Sequence, residues 1–438
     1  MRKKTHYTCA VIGDWHLAFV TAVGLSSLNH KTVLLKTGQK VNSWTSCPKL
    51  DLAEPEVNEA IDRLHKEGIF CYSHYQDDDW SADFVWLAVD TVVKEDDTSD
   101  LSSIEEILKY DFSSRIKKGL VVTSQVPLGF CQRYKNKFNI SYIPENLRLG
   151  QGLETFLKCD RLVIGSDSTE TLYDLKALLN EVDGEVILCD LNTSEMIKHA
   201  TNAFLASSIS LANQLAMIGE PYGVDNNLVG RSLRLDSRIG KKAYVIPGTG
   251  FAGGTLPRDL KSLQSLGANK GVSTELIDAI LTINESALTS VVTCLSQHFI
   301  SLENKKCLIL GYSYKEDIDT LRRSPAIELA KLLKEKKVQI YGHDPRMNDK
   351  DLGELEGLIN HIDELSNLDS DLDACIIVTA REEFHTLDWR IIRGNSDKQI
   401  LLFDLDGNIC EKALLKNGYT YKTLWQPKKS LGMRDEDT

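Results

Sequence analysis

A chain of 438 residues with 42% hydrophobic and 26% charged residues is long enough for two or three globular domains. Its formal net charge of −12 argues against a nucleic-acid partner, because phosphate backbones are bound by basic surfaces, although a nucleotide needs only a local positive pocket. The ten cysteines are scattered without a C-x-x-C pair, and no run approaches about 18 apolar residues, so the sequence predicts no metal site, no disulfides and no membrane span. We therefore expect a cytoplasmic protein with reduced thiols.

Short apolar runs alternate with amphipathic segments through the first half of the chain, which is typical of βαβ units around a parallel sheet. Residues 9–12 are predicted to form the first strand, residues 14–27 the helix that follows and residues 31–35 the second strand. Further apolar strands are predicted at 84–89, 119–123, 161–165 and 185–188. The first domain is therefore predicted to be α/β and to end near residue 192.

The periodicity becomes helical after the first domain. Residues 192–194 are Asn, Thr and Ser, whose side chains cap helix N-termini. The apolar spacing predicts helices at 196–218, 224–235 and 273–299. From Lys306 the alternation returns, with strands predicted at 307–311, 338–341, 374–378 and 399–403 and a helix at 324–334. We predict a central helical domain over 193–299 and a smaller α/β domain over 300–438.

One segment of the central domain is rich in glycine. Residues 248–259 read Gly-Thr-Gly-Phe-Ala-Gly-Gly-Thr-Leu-Pro-Arg-Asp, and glycine lets a backbone approach a ligand closely. A strand-like apolar run at 243–247 precedes this glycine loop, and helical spacing at 260–266 follows it. The glycines, the cation and the carboxylate predict a wall that contacts a polar, anionic small molecule. The alternative is a flexible connection between helices.

Four other segments carry short motifs of glycine, proline and charged residues. Residues 11–18 read Val-Ile-Gly-Asp-Trp-His-Leu-Ala and residues 123–129 read Thr-Ser-Gln-Val-Pro-Leu-Gly, each at the end of a predicted strand. Residues 144–150 read Pro-Glu-Asn-Leu-Arg-Leu-Gly. In the first central helix Lys198 and Asn202 are four residues apart, so their side chains lie on one helix face. Polar groups in an otherwise apolar helix need partners, which indicates a buried polar site.

These motifs and the order of the domains resemble the UDP-glucose/GDP-mannose dehydrogenase family over about residues 6–425. The resemblance implies a Rossmann-like dinucleotide-binding domain over 1–192 and a nucleotide-sugar (UDP) binding domain over 300–438. It also implies that the central helical domain forms a dimerisation spine and carries the active-site loop 248–259. Members of this family oxidise the 6-hydroxymethyl group of a nucleotide sugar to a carboxylate with two NAD⁺.

The resemblance also implies a set of cofactor-binding residues, namely Gly13, Trp15, His16, Lys36, Gln125 and Arg322. Trp15 stands where the family has the second glycine of its G-x-G-x-x-G turn, so the indole would displace the pyrophosphate. Lys36 replaces an acidic residue that would bind ribose hydroxyls, which favours a 2′-phosphate and keeps NADP as an alternative to NAD. Gln125 replaces a threonine near the nicotinamide and can still position a water.

The catalytic residues implied by the resemblance are Lys198, Asn202, Asp259, Glu145 and Thr255, and the substrate-binding residues are Leu147, Arg148, Arg238, Gly250, Phe251, Gly253 and Lys315. A buried Lys198 acts as a base or as a cation beside an alkoxide, and Glu145 serves acid–base chemistry. Asp259 matches the family's water-activating aspartate. Thr255 stands where the family has the cysteine that attacks the aldehyde, and an aliphatic hydroxyl is a far weaker nucleophile than a thiolate.

The sequence therefore predicts a nucleotide-sugar oxidoreductase similar to UDP-glucose 6-dehydrogenase. It would transfer a hydride from a sugar hydroxymethyl to NAD(P)⁺, and it would stop at the aldehyde, or slow after it, because of Thr255. We expect a UDP-hexose substrate and a homodimer. One alternative is a nucleotide-sugar-binding protein without redox activity and with impaired cofactor binding. Another is a dehydrogenase of the same fold that acts on a different anionic substrate, such as a phosphorylated hydroxy acid.

Overall fold

The computed structural model describes most of the chain, namely residues 6–38, 49–50, 54–77, 79–94, 96–312, 321, 324–347, 352–368, 371–379, 381–394, 397–405, 409, 414–415 and 417–425. The Cα positions divide the chain into two compact units, residues 1–201 and residues 202–438. Each unit contains one large parallel or nearly parallel sheet. The boundaries of the three domains predicted from the sequence remain predictions.

The first unit is built on an eight-stranded sheet in the order β10-β9-β8-β7-β4-β1-β2-β3. The strands of this unit are β1 Thr8–Ile12, β2 Lys31–Lys36, β3 Phe70–His74, β4 Ala82–Leu87, β5 Val92–Val93, β6 Ser99–Asp100, β7 Ile116–Val122, β8 Ile140–Tyr142, β9 Lys158–Ser166 and β10 Asp183–Cys189. The pairs in the large sheet are parallel except for β8 with β9, and β5 and β6 form a separate antiparallel pair. The strands predicted in this half are all observed, with ends shifted by a few residues.

Helices cover this sheet, and one of them continues into the second unit. They are α1 His16–Ser27, α2 Pro55–Lys66, α3 Ser102–Lys109, α4 Gly152–Leu157, α5 Thr169–Leu178 and α6 Leu191–Gly219. The prediction that residues 192–194 cap α6 is wrong, because they lie inside its first turn. Asp190 is the capping residue, since its Oδ1 accepts a hydrogen bond from the backbone N–H of Thr193 at 3.0 Å.

The second unit combines long helices with a six-stranded parallel sheet in the order β13-β12-β11-β14-β15-β16. Its helices are α7 Asn226–Leu235, α8 Thr255–Lys270, α9 Glu275–His298, α10 Pro325–Glu335, α11 Leu352–Leu355, α12 Glu382–His385 and α13 Trp389–Arg393. Its strands are β11 Lys306–Leu310, β12 Gln339–His343, β13 Asn360–His361, β14 Ala374–Ile377, β15 Ile400–Asp404 and β16 Tyr419–Thr423. The predicted order of α/β, helical and α/β segments is therefore observed.

The run at 243–247 does not form the predicted strand. No strand among the described residues pairs with it, and the carbonyl of Ala243 accepts a hydrogen bond from Nε of Arg234 at 2.9 Å. Residues 260–266 are helical as predicted, but the helix α8 already begins at Thr255. The last part of the glycine loop is therefore the first turn of a helix.

Helix α9 is long and apolar enough, by length and composition alone, to cross a membrane. Its most apolar window has a mean hydropathy of 1.3, and 28% of that window is buried. Ile280, Ala287 and Val291 of this helix are buried in two hydrophobic cores of the second unit. Core helices of globular domains share this length and composition, so the feature is weak evidence for a span.

Eight cysteines fall within the described residues, and all eight are free. Burial raises the pKa of each of these thiols, and it raises the pKa of Cys307 to about 12. Within the same described ranges, no group of three or more His, Cys, Asp or Glu side chains is placed to hold a metal ion.

Candidate functional site

The turn after β1 leads directly into the N-terminus of a helix. Gly13 lies against the backbone near the end of β4, and a Cβ atom there would lie 2.5 Å from the carbonyl oxygen of Ala88. Helix α1 begins three residues later, with Trp15 as its N-cap residue in an extended conformation that any residue can adopt. The indole is 46% exposed. A helix N-terminus directly after the first strand suits a dinucleotide pyrophosphate, so the residues present fit NAD.

Lys36, at the end of β2, is engaged with Asp14 in that same turn. Its Nζ lies 3.2 Å from Oδ1 of Asp14 and donates to the Asp14 carbonyl at 3.0 Å. The Asp14 carboxylate also accepts from the backbone N–H of Thr37 at 3.0 Å. Although burial acts to raise it, these hydrogen bonds and the lysine charge hold the pKa of Asp14 below its ordinary value. Because each charge neutralises the other, the basis for a 2′-phosphate at Lys36 is weakened.

The segment after β7 is fixed by two side chains. Ser124 accepts from the backbone N–H of Val89 at 2.9 Å, and the next residue, Gln125, is buried. Glu195 of α6 accepts from the backbone N–H groups of Gly129 at 2.5 Å and Cys131 at 2.8 Å. Burial raises the pKa of Glu195, and the backbone donors oppose that rise. Sequence reasoning missed Glu195, which holds the turn that follows Gln125.

Lys198 and Glu145 are in direct contact within the first unit. Nζ of Lys198 donates to the carbonyl of Glu145 at 2.6 Å and lies 3.1 Å from its Oε1. The backbone N–H of Leu147 donates to the other carboxylate oxygen at 2.8 Å. Lys198 is buried and Glu145 is partly buried, so the ion pair is only partly screened by water. The structure therefore brings together a predicted cation and a predicted acid that are 53 positions apart.

A pocket in the first unit lies beside this loop. Leu17 and Thr21 of α1, Trp86 of β4, Thr123 and Glu145 are among the residues that line it. The lining is mostly apolar, with a few polar groups from the strand end and from the loop. Its volume of about 60 Å³ is well below the roughly 300–1,000 Å³ of a ligand site, so we assign no ligand to it.

In the second unit, the glycine loop is held by asparagine side chains. The backbone N–H of Gly248 donates to Asn213 at 2.8 Å, and the backbone N–H of Phe251 donates to Asn284 at 2.7 Å. Asn284 donates back to the carbonyl of Phe251 at 2.9 Å. Gly250 has φ of +93°, and a Cβ atom there would lie 2.5 Å from Oδ1 of Asn284. These contacts argue against a flexible connection between helices.

The end of the glycine loop carries the predicted catalytic side chains. Thr255 is exposed at the first position of α8, and Gly253 has φ of +74° just before it. Asp259, one turn further on, is buried and accepts from Nδ2 of Asn202 at 2.5 Å. Asn202 and Asp259, 57 positions apart, therefore meet in this unit.

Other predicted residues are exposed or lie outside the described residues. Arg148 is exposed. Arg238 is also exposed, and its Nη2 lies 2.6 Å from Oδ2 of Asp236 on the surface. Lys315 and Arg322 lie outside the described residues, so their roles remain predictions.

Two buried residues join the cofactor turn to the segment 144–150. His16, at the first position of α1, has its Nε2 2.7 Å from Oε1 of Glu54. The same oxygen accepts from the backbone N–H of Gly150 at 2.7 Å, and the other oxygen accepts from Gly152 at 3.1 Å. Sequence reasoning placed His16 at the cofactor but missed Glu54. The signal for Glu54 was an acid directly before a proline that begins a helix, Pro55.

Three segments of the chain match domains of a known protein family. The NAD binding domain of the UDP-glucose/GDP-mannose dehydrogenase family matches residues 7–183, its central domain matches 192–286 and its UDP binding domain matches 308–411. A UDP-glucose 6-dehydrogenase from Rickettsia bellii is 29% identical over 94% of this chain and 98% of the relative. UDP-glucose 6-dehydrogenase AglM from Haloferax volcanii is 28% identical over 86% of this chain and 92% of the relative.

A solved structure agrees with these matches. The structure of a UDP-glucose dehydrogenase from Pyrobaculum islandicum has a TM-score of 0.84 and 26% identity, and the match covers 97% of this chain and 99% of that one. The predicted fold and the predicted cofactor, NAD, are confirmed by the matching domains. Since three domain models match in order along most of its length, the chain belongs to the UDP-glucose/GDP-mannose dehydrogenase family.

Proposed function

We propose that the chain is a UDP-hexose dehydrogenase that transfers a hydride from the C6 hydroxymethyl of its substrate to NAD⁺. The buried contact between Asn202 and Asp259, at the end of a glycine loop held by side chains, carries this proposal. The relatives named above are UDP-glucose 6-dehydrogenases, which makes UDP-glucose the first substrate to test. Free thiols suit a reducing compartment, so we place the enzyme in the cytoplasm.

The first oxidation requires a hydride acceptor and a group that handles the hydroxyl proton. NAD⁺ supplies the hydride acceptor when it is bound. In our proposal the ammonium of Lys198 stabilises the developing alkoxide, and its contact with Glu145 orients it. A water held by Asp259 accepts the hydroxyl proton. With NAD⁺ bound, transfer of the C6 hydride would convert the hydroxymethyl group to an aldehyde and yield NADH and a proton.

The second oxidation is where this chain should differ from its family. A thiol at position 255 would add to the aldehyde and form a thiohemiacetal, whereas the Thr255 hydroxyl has no thiolate-like form near neutral pH. The aldehyde must instead add water, with Asp259 as the base, before a second hydride can leave the hydrate. We therefore propose that the aldehyde accumulates.

The test measures how many hydrides leave each substrate. Limiting UDP-glucose is incubated with excess NAD⁺, the NADH formed is measured by absorbance, and the products are trapped with hydroxylamine for mass spectrometry. We expect about one NADH per UDP-glucose early in the reaction and an oxime of the aldehyde. The variant Thr255→Cys should move the ratio towards two and yield the carboxylate. If the unchanged protein forms acid as fast as this variant, the role of Thr255 is wrong.

A second candidate function is a nucleotide-sugar-binding protein without redox activity. The exposed indole of Trp15 at the start of α1 favours it, because a side chain there takes space that the family gives to the pyrophosphate. Calorimetric titration with NAD⁺, NADP⁺ and UDP-glucose separates the two candidates. Binding of the sugar nucleotide without binding of either dinucleotide would select this second function.

We also propose that the enzyme is a homodimer joined along α6. Phe204, Leu211, Leu215 and Ile218 are spaced along this helix, and their exposed fractions are 72%, 57%, 41% and 55%. Large apolar side chains in such a row are usually covered by a partner, and a two-fold dimer would cover each copy with the other. Sedimentation analysis should give a dimer, and Phe204→Ser with Leu211→Ser should give a monomer. A monomeric unchanged protein would contradict the proposal.

A further inference from the structure

A single buried carboxylate, that of Glu54, joins the cofactor turn to the end of the segment 144–150. It accepts hydrogen bonds from His16 Nε2 at 2.7 Å, from Gly150 N–H at 2.7 Å and from Gly152 N–H at 3.1 Å. An ionised carboxylate only accepts, so the imidazole donates from Nε2. Both side chains are almost fully buried, and hydrogen bonds to a buried charge are stronger than neutral ones.

The backbone that Glu54 binds lies close to α1. A Cβ atom on Gly152 would lie 3.0 Å from Nε2 of His16 and 2.7 Å from Val20 of α1. The backbone at 150–152 must therefore approach α1 closely, and a carboxylate fills the space between them. The acid comes from the residue before α2, 96 positions ahead of Gly150. One side chain thus ties together three separate parts of the first unit.

The two segments that Glu54 joins are predicted to bind different ligands. His16 is the first residue of α1, next to Trp15, where the cofactor pyrophosphate is expected. Gly150 ends the segment that contains Glu145, whose carboxylate contacts Lys198 at the proposed sugar site. Among the described residues, His16 is the only hydrogen-bonding partner of Glu54 to which a role in binding or chemistry is assigned.

We propose that Glu54 is a positioning residue that couples cofactor binding at the start of α1 to sugar-nucleotide binding by the segment 144–150. The inference rests on the proposed function. A cofactor that orders Trp15 and His16 also orders the carboxylate bonded to His16, and with it the backbone of Gly150. The sugar nucleotide then meets a segment that has already lost part of its conformational freedom, so it binds more tightly. By linkage, the sugar nucleotide strengthens cofactor binding by the same factor.

The coupling is measurable without turnover. UDP-glucose is titrated calorimetrically into the full-length protein, alone and in saturating NADH, which cannot accept a hydride. The expected result is a dissociation constant several-fold lower in NADH. Glu54→Gln keeps the size of the side chain but replaces one acceptor oxygen with a donor that faces N–H groups. In saturating NADH this variant should bind UDP-glucose about tenfold more weakly than the unchanged protein does, which is the effect of one lost charge-assisted hydrogen bond. Its dissociation constants with and without NADH should be equal.

Glu56→Gln is the matched control, because Glu56 is an exposed acid two residues after Glu54, in the first turn of α2. It should leave the coupling unchanged. His16→Asn is a second variant that cuts the link on the cofactor side while Glu54 keeps its bonds to Gly150 and Gly152. It should also abolish the coupling when NADH is supplied at a concentration that a direct titration shows to saturate this variant. Thermal melting of each variant shows that it is folded.

Each outcome decides one of the two proposals. Loss of coupling in both Glu54→Gln and His16→Asn, with coupling kept in Glu56→Gln, supports the positioning role. Coupling that persists in folded Glu54→Gln overturns the positioning role and leaves the proposed function intact, because both ligands still bind. An unchanged protein that binds UDP-glucose but neither NADH nor NAD⁺ overturns the proposed function, and the positioning role falls with it.

Discussion

Asn284 tests whether the glycine loop must be held in place. Its Oδ1 accepts from the backbone N–H of Phe251 at 2.7 Å and its Nδ2 donates to the carbonyl of Phe251 at 2.9 Å. Asn284→Ala removes both hydrogen bonds and leaves two partly buried backbone groups without their partner. At about 0.5–1.5 kcal/mol for each bond, the free energy of unfolding should fall by about 1–3 kcal/mol.

The chain offers a matched control for this loss. Asn58 makes the same pair of bonds with the backbone of Leu50, which donates to Oδ1 at 2.8 Å and accepts from Nδ2 at 3.0 Å. Asn58→Ala should therefore lower the free energy of unfolding by a similar amount. Neither Asn58 nor Leu50 belongs to a predicted site.

The two variants are compared by urea unfolding and by the rate of NADH formation from UDP-glucose. Both should lose stability, but only Asn284→Ala should lose catalytic efficiency. Without these two bonds, part of the binding energy of the substrate must order the loop. If that costs the same 1–3 kcal/mol, kcat/KM should fall by about 5-fold to 150-fold. Equal activity in the two variants would falsify the claim that the side-chain bonds organise the loop for catalysis.

Three further substitutions test other parts of the structure. Gly13→Ala should lower the free energy of unfolding of the first unit, measured in urea, by about 2 kcal/mol or more, because its Cβ would lie 2.5 Å from a backbone oxygen. Gly129→Ala is the control, because its Cβ would lie in open space and only the strain of a positive φ remains. Because the pKa of Asp14 is lowered in the folded state, its carboxylate stabilises the fold at pH values above its ordinary pKa of 3.8, and this stabilisation is lost as the pH falls through the folded-state pKa. The free energies of unfolding of Asp14→Asn and of the unchanged protein should therefore differ near neutral pH and converge in acid. Lys198→Met should lower the melting temperature by removing the cation beside the partly buried Glu145 carboxylate, and adding Glu145→Gln should restore stability but not NADH formation.

The strands could be predicted from the sequence because apolar runs such as those of β1 and β4 are buried on both faces of a parallel sheet. Helix starts were harder to place. Helical spacing predicts a helix from residue 260, but α8 starts at Thr255. Pro257 indicates the earlier start, because proline is tolerated in the first turn of a helix. The start of α6 was missed because a capping Asp190 was overlooked beside three other capping side chains.

Part of the site could be inferred from position in the sequence, and part could not. Asp14 follows β1 and Lys36 is the last residue of the adjacent parallel strand β2, so their contact could have been predicted from the order of these two strands. Glu54 and Asn284 could not be found this way, because each bonds to a backbone far along the chain and leaves no periodic pattern. Their role depends on which segments the fold brings together.

The first turn of α8 also gives the chain a practical use. Thr255 is exposed at the helix start, where the partial positive charge of the helix stabilises a thiolate. Every cysteine among the described residues has its pKa raised by burial, and of these eight only Cys71 is exposed. A thiol introduced at position 255 would combine exposure with the N-terminus of an α-helix, which none of those eight cysteines does. Fluorophores or cross-linkers could then be attached at position 255 after replacement of Cys71 and of the two cysteines outside the described residues, Cys47 and Cys410.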